Sequence, residues 1–251
     1  MQRLIGKPRV QEVRTSRTHK IEKDMTSEVH NIDCLEYMRT LPDNYFQLAI
    51  ADPPYGIGAT KMNLGNGHRK IYRGENDWDN QAPDVEWFNE LRRVSVNQVL
   101  WGANHYISRM PIDSSAWIVW DKGTGDNSFA DCELAWTSFK KPVRKYFQSW
   151  VGGNAKEKSD PDRIHPTQKP VGLYAWIISH YANDGDRIFD PMMGSQSSRI
   201  AAYKLGFDYV GCELDKEYFD KGCARFDREC HGITANPSCT KYQQTSIFDQ
   251  C

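Results

Sequence analysis

The sequence predicts an α/β domain built on a doubly wound, mostly parallel β-sheet. Short apolar runs, each bounded by polar or turn residues, alternate along the chain with longer stretches whose apolar residues recur every three or four positions. Such alternation is typical of βαβ units, whose ligands bind beyond the carboxyl ends of the strands. The 251 residues fit one large domain, and no internal repeat divides them.

The boundaries of the predicted elements follow from these patterns. Residues 1–26 are polar, basic and aperiodic, and we expect them to form a basic N-terminal arm that precedes a single domain of residues 27–251. Strands are predicted at residues 29–32, 46–51, 98–101, 116–120, 133–137, 187–189 and 209–212. Helices are predicted at residues 34–40, 85–94, 171–181, 197–205 and 216–228. The prediction is therefore a seven-stranded sheet.

Composition argues against several classes of protein. The chain holds no stretch near the roughly 18 consecutive apolar residues that span a bilayer, and its first residues lack the apolar core of a signal peptide. The seven cysteines are never spaced as Cys-x-x-Cys, which argues against a disulfide framework. Cys223, Cys230 and Cys239 with His231 have the wrong spacing for a zinc finger. We expect a cytoplasmic protein without a metal or a membrane partner.

Positive charge is concentrated locally, because the formal net charge is only −1. One basic segment lies within residues 3–23, and a second lies within residues 140–163, where Tyr146, Phe147 and Trp150 interleave with lysine and arginine. A basic run is usually a solvated surface, but aromatic rings among cations are also typical of nucleic-acid contacts. We favour such contacts for the second segment.

The most informative turn follows the strand at residues 46–51. It reads Asp52-Pro53-Pro54-Tyr55, so a carboxylate stands at the carboxyl end of a buried strand, on a turn stiffened by two prolines. The Asp52 carboxylate and the Pro53 carbonyl suit the two hydrogens of an amine on a nucleobase, and Tyr55 offers a face for stacking. Asp-Pro and Pro-Pro are also ordinary turn sequences, so the tetrapeptide alone leaves a plain turn open.

Three further motifs accompany it in the second half of the chain. Residues 165–170 read His-Pro-Thr-Gln-Lys-Pro before a helix, and residues 190–195 read Asp-Pro-Met-Met-Gly-Ser between a strand and a helix. Glu213 follows the next strand, about twenty residues beyond the glycine turn, as expected for an acid that accepts hydrogen bonds from ribose hydroxyls. No G-x-G-x-x-G follows a strand, which disfavours a nicotinamide dehydrogenase.

Together these motifs resemble the DNA amino-methyltransferase family that modifies adenine N6 or cytosine N4, and their order is similar to its β class. The resemblance runs from about His30 to Phe226. It implies a Rossmann-like fold whose sheet ends in one reversed strand, S-adenosylmethionine as methyl donor, and direct in-line transfer to a base flipped out of double-stranded DNA. Asp at position 52 favours adenine N6, with cytosine N4 as the alternative. Related enzymes that methylate glutamine in proteins begin the tetrapeptide with Asn.

The resemblance also implies roles for individual residues. The catalytic turn comprises Asp52, Pro53, Pro54 and Tyr55. The cofactor-binding positions are Asp33 and Cys34 at the adenine ring, Thr167 and Lys169 near the methionine carboxylate, Asp190 beside the methionine amino group, Glu213 at the ribose, and Asp52, Met192, Gly194 and Ser195 along the turns. Glycine-rich loops around residues 56–80 and 140–164 are the candidate target-recognition loops. Their short length implies a short recognition sequence, and a homodimer stays open.

One position departs from the family pattern. A second glycine is expected two residues after Gly194, where this chain has Gln196. If that position requires a positive φ, glutamine costs about 1–2 kcal/mol there, and cofactor affinity falls accordingly. A weakly active enzyme or a non-catalytic DNA-binding relative is therefore the alternative from a different functional class.

Overall fold

The computed structural model describes residues 25–57, 81–110, 112–124, 130–149, 163–165 and 167–233, and it is built around one eight-stranded sheet. The strands are β1 (Ser27–His30), β2 (Phe46–Ala51), β3 (Ser95–Trp101), β4 (Ile118–Asp121), β5 (Cys132–Thr137), β6 (Arg144–Phe147), β7 (Arg187–Asp190) and β8 (Asp208–Cys212). The helices are α1 (Cys34–Arg39), α2 (Val85–Val94), α3 (Ala103–Tyr106), α4 (Val171–Tyr181), α5 (Ser197–Leu205) and α6 (Lys216–Phe226).

The strand order is β1-β8-β7-β2-β3-β5-β4-β6. Neighbours are parallel except at β5, which runs antiparallel to both β3 and β4, so β5 is the one reversed strand. The predicted fold class is thus confirmed: a mostly parallel sheet with one reversed strand. That strand lies between β3 and β4 rather than at the end of the sheet.

The predicted count of seven strands is wrong, because β6 adds an eighth. This strand, Arg144-Lys145-Tyr146-Phe147, lies inside the basic segment that the sequence assigns to a recognition loop. It pairs only with β4, at the edge of the sheet, and three of its four residues are exposed. An edge strand of this kind carries charged side chains and lacks the apolar run of a central strand.

Both faces of the sheet are covered by helices. Strand β2 alternates between two apolar cores: Ala49 and Ala51 pack with residues of α1 and α2, whereas Leu48 and Ile50 pack with residues of α4 and α5. A strand that is buried on both faces reads as a continuous apolar run, which explains why β2 is predicted to the residue. The doubly wound arrangement leaves the carboxyl ends of the strands as the place for a site.

Helix bounds agree closely with the prediction, and three helices match it at both ends: α2, α4 and α5. Asp33, Asp84 and Asp215 cap the starts of α1, α2 and α6 by accepting hydrogen bonds from backbone amides. The larger differences are corrections: β3 begins three residues earlier than predicted, at Ser95, and α3 was not predicted. Strand β1 lies two residues earlier than predicted, and α6 ends at Phe226, after which a π-helical turn spans Asp227–His231.

Several expectations fall outside the described residues. Most of the N-terminal arm, most of the loop at 56–80 and residues 150–162 of the second candidate recognition loop, including Trp150, belong to this group. No helix in the described part of the chain is long and apolar enough to cross a membrane. The residues that the structure describes also contain no cluster of histidine, cysteine or carboxylate side chains that could hold a metal ion.

Candidate active site

The carboxyl ends of the parallel strands bring most of the predicted site residues to one edge of the sheet. Asp52 follows β2, Asp190 ends β7, and Glu213 follows β8, while Asp33 lies shortly after β1. Because β1, β8, β7 and β2 are consecutive parallel neighbours, these four acids lie along a single edge. The sequence therefore predicted this grouping correctly.

Asp52 is held in a defined orientation by two donors on the same carboxylate oxygen. Its Oδ1 accepts from Lys169 Nζ at 2.5 Å and from the Tyr55 hydroxyl at 2.8 Å. The other oxygen, Oδ2, has no partner among the described residues, and the side chain is 15% exposed. One oxygen is therefore fixed by the protein, and the second is left with the capacity to accept a hydrogen bond from another group.

Lys169 joins Asp52 to a second carboxylate that the motifs did not reveal. Its ammonium group also donates to Glu133 Oε2 at 3.1 Å, and Lys122 donates to the other oxygen of Glu133 at 2.5 Å. Glu133 lies on the reversed strand β5, and its 3.4 Å contact with the Tyr55 hydroxyl closes the network. The sequence signal was a lone acid in the predicted strand at residues 133–137, which no motif marked.

The charges of this network stabilise one another. Burial raises the pKa of Asp52, and Lys169 opposes that rise. Although burial alone would lower it, the pKa of Lys169 is raised by Asp52 and Glu133. For Glu133, the two lysines outweigh burial and lower the pKa to about 2. Burial and Asp52 raise the pKa of Tyr55 well above its usual value, so its hydroxyl stays protonated and donates to Asp52.

The ring of Tyr55 lies against the backbone at the end of β3. A Cβ atom at Gly102 would come within 2.1 Å of the ring, so only glycine fits, and Gly102 also has a φ of 72°. His105 in α3 stacks on the same ring, with centroids 5.1 Å apart and planes 15° from parallel. One face of the ring that is predicted to stack on a base thus has an imidazole partner.

On the other side of Asp52, Asp190 shapes the turn that follows β7. Its two oxygens accept from the Met192 amide at 3.1 Å and from the Ser198 hydroxyl at 2.6 Å. The residue is only 1% exposed, and burial raises its pKa to about 7. Asp190 therefore connects the turn to α5 through hydrogen bonds. Each of its oxygens keeps a second lone pair that can accept from another donor.

Glu213 reaches across from β8 to the same turn. One oxygen accepts from the Gly194 amide and the other from the Asp215 amide, both at 2.9 Å. Burial raises the pKa of Glu213 to about 7 despite these two bonds. Gly194 has a φ of 45°, a backbone conformation that favours glycine. A Cβ atom built at this position would lie 3.6 Å from the nearest side chain, that of His165. The turn and the acid thus form one unit.

Asp33 and Cys34, the two residues predicted at the adenine ring of the cofactor, differ in their partners and in their burial. Asp33 is half-buried and uses Oδ1 to cap the helix through the amides of Leu35 and Glu36. Cys34 is buried, and its sulfur accepts from the indole N–H of Trp87 at 3.2 Å, while burial raises the pKa of the thiol to about 12. Cys34 is therefore a neutral packing residue beside the edge of the sheet.

Thr167 and Lys169, both predicted near the methionine carboxylate, contact different residues. Thr167 is exposed, and its hydroxyl and amide both lie near His165 Nδ1, at 3.1 and 3.3 Å. Lys169 is buried and points to Asp52 and Glu133 instead. Burial, aided by nearby Arg163 and Lys169, lowers the pKa of His165 to about 3, so its ring is neutral.

Gln196 occupies the left-handed region, with φ 60° and ψ 25°, as the family glycine at that position would imply. Its side chain is fully buried and turns toward α6, where its amide nitrogen lies 3.3 Å from the Phe219 carbonyl. The conformational cost expected for this residue is therefore present. The side chain does not, however, project toward the edge that carries Asp52 and Glu213.

Comparison with known proteins gives a consistent result. A family model described as DNA methylase matches residues 126–223, a segment that contains Glu133, Lys169, Asp190 and Glu213 but not Asp52. Type II methyltransferase M2.MboI of Moraxella bovis is 26% identical over 251 aligned positions, which cover 84% of this chain and 90% of the relative.

Two solved structures share the fold. The complex of M1.HpyAVI with SAM has a TM-score of 0.54 and 20% identity, and covers 80% of this chain and 98% of the other. The cytosine-N4-specific PvuII DNA methyltransferase has a TM-score of 0.53 and 15% identity, and covers 87% of this chain and 91% of the other. The matched segment and the relative support a place for this chain in the DNA methyltransferase family that modifies adenine N6 or cytosine N4, and the solved structures show that it has the fold of S-adenosylmethionine-dependent DNA methyltransferases.

Proposed function

We propose that this protein transfers a methyl group from S-adenosylmethionine to adenine N6 in double-stranded DNA. The observation that carries the proposal is the state of Asp52, whose Oδ1 is fixed by Lys169 and Tyr55 while Oδ2 has no partner among the described residues. A carboxylate oxygen held in this way at a sheet edge is placed to accept a hydrogen from an exocyclic amine.

The chain's own residues activate the amine by hydrogen bonding. Acceptance of its two hydrogens by Asp52 Oδ2 and the Pro53 carbonyl favours a pyramidal nitrogen, whose lone pair is then available for attack. When bound, S-adenosylmethionine supplies an electrophilic methyl group. Asp52, whose raised pKa suits it as the acceptor, would take the proton that the amine loses on methylation. Lys169 keeps that carboxylate oriented throughout.

The sheet edge that carries Asp33, Glu213 and Asp190 offers side chains that can bind the polar groups of the cofactor. Acids at the ends of β1, β8 and β7 offer acceptors for amine and hydroxyl groups and create a field that favours a sulfonium cation. We assign Glu213 to the ribose, Asp33 and Cys34 to the adenine ring, and the turn of Asp190, Met192, Gly194 and Ser195 to the methionine portion. Thr167 remains a candidate for the methionine carboxylate. The ion pair between Lys169 and Asp52 favours a role at the target amine for both residues, in place of the cofactor contact that the resemblance implies for each.

DNA contact is proposed for the two loops around residues 56–80 and 140–164. Within the second, β6 exposes Arg144, Lys145 and Phe147, and Phe147 is 63% exposed. Cations with an exposed ring suit a phosphate backbone and an unstacked base. Not every lysine of the segment takes part, because Lys141 donates to the His180 carbonyl at the end of α4. The type II relative suggests a place in a restriction–modification system, and dimerisation stays open.

The choice of adenine over cytosine rests on Asp52 and its resemblance to the adenine-modifying members. Cytosine N4 presents the same two hydrogens, and the cytosine-N4-specific PvuII enzyme has a similar fold, so the fold alone does not discriminate. A non-catalytic relative is less well supported, because Gln196 turns its side chain away from the acidic edge.

The discriminating experiment analyses modified nucleosides. Purified protein is incubated with unmethylated genomic DNA and S-adenosylmethionine, the DNA is digested, and the nucleosides are identified by mass spectrometry. We expect N6-methyladenine. N4-methylcytosine in its place would overturn the assignment of the base and keep the mechanism, whereas the absence of both products would favour the non-catalytic relative.

A further inference from the structure

Gln196 stands in a backbone conformation that a side chain rarely adopts. Its φ of 60° lies in the left-handed region, where glycine is favoured and glutamine is disfavoured. It is one of two residues other than glycine with a positive φ in the described part of the chain. Contacts of its side chain must therefore offset the unfavourable conformation.

Those contacts join the turn before α5 to α6. The side-chain amide nitrogen of Gln196 lies 3.3 Å from the Phe219 carbonyl and 3.4 Å from the Cys223 sulfur. Its oxygen accepts from Arg199 at 2.9 Å. The side chain is fully buried, so each of these bonds is made in the absence of solvent.

Gly222 in the middle of α6 is matched to this side chain. A Cβ atom at position 222 would lie 2.7 Å from both Cγ and Nε2 of Gln196, closer than real contacts allow. Glycine inside a helix normally lowers helix stability relative to alanine. Here the missing side chain leaves the space that Gln196 fills.

Arg225, one turn further along α6, holds the same turn from a second point. Its guanidinium group donates to the Ser195 carbonyl at 2.9 Å and to the Ser197 hydroxyl at 2.8 Å, and it pairs with Glu229 at 2.7 Å. Arg225 is also fully buried. Residues on both sides of Gln196 are thus bonded to α6.

We propose that Gln196 is a positioning residue that ties the cofactor-binding turn to α6 and thereby sets cofactor affinity, with Gly222 as its matched partner. The inference rests on the proposed function, because Gly194 and Glu213 are assigned to the cofactor. Only Ser195 separates Gly194 from Gln196, so a turn fixed by Gln196 presents the Gly194 backbone and its Glu213 partner in one arrangement before the cofactor binds. This chain has replaced a flexible glycine with a side-chain tether.

The test is a set of four proteins: wild type, Gln196→Gly, Gly222→Ala and the double variant. Dissociation constants for S-adenosylmethionine are measured by titration calorimetry, with melting temperatures measured in parallel. Gln196→Gly should weaken cofactor binding roughly tenfold, as expected for the loss of buried hydrogen bonds. Gly222→Ala should weaken it similarly, because the added methyl displaces Gln196. The double variant should bind no worse than Gln196→Gly, since the methyl then meets no side chain.

Other readouts separate positioning from a structural role. The kcat at saturating cofactor should stay within about twofold of wild type for each variant, because Asp52 is untouched. Lys221→Ala, on the exposed surface of α6, is the matched control and should change neither affinity nor melting temperature. If Gln196→Gly does not fold, Gln196→Asn serves in its place, because asparagine tolerates a positive φ but is too short to reach Phe219.

Three results would overturn the inference. A lower melting temperature with an unchanged dissociation constant would show that Gln196 only stabilises the fold. Additive losses of affinity in the double variant would show that Gln196 and Gly222 are not matched. A wild-type protein that binds no S-adenosylmethionine would contradict the proposed function itself, and this inference would fall with it.

Discussion

At the scale of single residues, the acids at the sheet edge were predictable and their partners were not. Asp52 and Glu213 follow apolar runs within motifs, so local sequence placed both at the ends of strands. Glu133 joins the site because the reversed strand β5 lies beside β3, which brings it to Lys169, far away in the chain; Lys122 then reaches Glu133 from the end of the neighbouring strand β4. Such long-range pairing leaves no local pattern.

Glu213 should make cofactor binding dependent on pH. Burial raises its pKa to about 7 in the folded protein, whereas ribose hydroxyls donate best to the ionised form. Affinity for S-adenosylmethionine should therefore increase from pH 6 to pH 8 and then level off, with release of a proton on binding. Glu213→Gln should weaken binding and flatten this increase, as measured by calorimetry in buffers of different ionisation enthalpy.

The raised pKa of Glu213 also makes the stability of the fold depend on pH. A carboxyl group whose folded pKa lies above its usual 4.5 holds a proton that the unfolded chain releases, so its contribution to stability falls as the pH rises from about 4.5 to 7. Glu213→Gln should therefore make the free energy of unfolding fall less over this pH range. A cofactor affinity for Glu213→Gln that still increases with pH as in wild type would assign the titration to another group.

Glu133 should act on methyl transfer through Lys169. Glu133→Gln removes one charge partner of Lys169, so the ammonium group shifts toward Asp52 and perturbs its orientation. We expect kcat to fall about tenfold, the size of one charge-assisted hydrogen bond, while the dissociation constant for S-adenosylmethionine changes little. Glu36→Gln, on the exposed first turn of α1, is the matched control. Full activity of Glu133→Gln would remove this residue from the account.

At the scale of secondary-structure elements, the buried strand β2 and the helices packed on the sheet were predicted well, and the edge strand β6 was not. Strand β2 and helices α2, α4 and α5 have the predicted bounds, because burial on both faces gives β2 a continuous apolar run and burial against the sheet gives the helices a period of 3.6. Strand β6 escaped prediction because an edge strand with exposed basic residues has no such period. Tertiary pairing with β4 makes it a strand.

Strand β6 should contribute to binding of DNA. Arg144 is exposed at this edge, and its removal should weaken binding to DNA of any sequence. Arg144→Ala should raise the KM for DNA severalfold and lower the slope of log affinity against log salt by about 1, with the cofactor dissociation constant unchanged. Lys221→Ala on α6 controls for the loss of a surface charge. An unchanged salt slope would place the DNA elsewhere.

At the scale of the whole molecule, the sheet places two functions at one edge. Acids assigned to the cofactor lie at or just beyond the ends of β7, β8 and β1, and Asp52 directly follows β2 beside them. Reversal of β5 brings Glu133 to the other side of Asp52. In the proposed mechanism, the methyl donor and the target amine would therefore lie at neighbouring strand ends of one sheet.

Cofactor binding should stabilise the whole fold, because only the folded sheet assembles these acids. At a concentration of 100 times the dissociation constant, S-adenosylmethionine should add about 2.7 kcal/mol to the free energy of unfolding. For a domain of this size that corresponds to roughly 5–10 °C in melting temperature. The shift is measured by differential scanning calorimetry, with adenosine alone as a control. No shift at saturating cofactor would contradict the assignment of the edge.

The most direct test of the account compares wild type with Asp52→Ala on unmethylated DNA. Methyl transfer is followed by mass spectrometry of nucleosides, and cofactor affinity is measured on the same samples. We predict that Asp52→Ala forms no detectable methylated base while binding S-adenosylmethionine within about threefold of wild type, because Asp52 holds the amine rather than the cofactor. Methylation by Asp52→Ala at the wild-type rate would contradict the central claim that the Asp52 carboxylate accepts from the target amine.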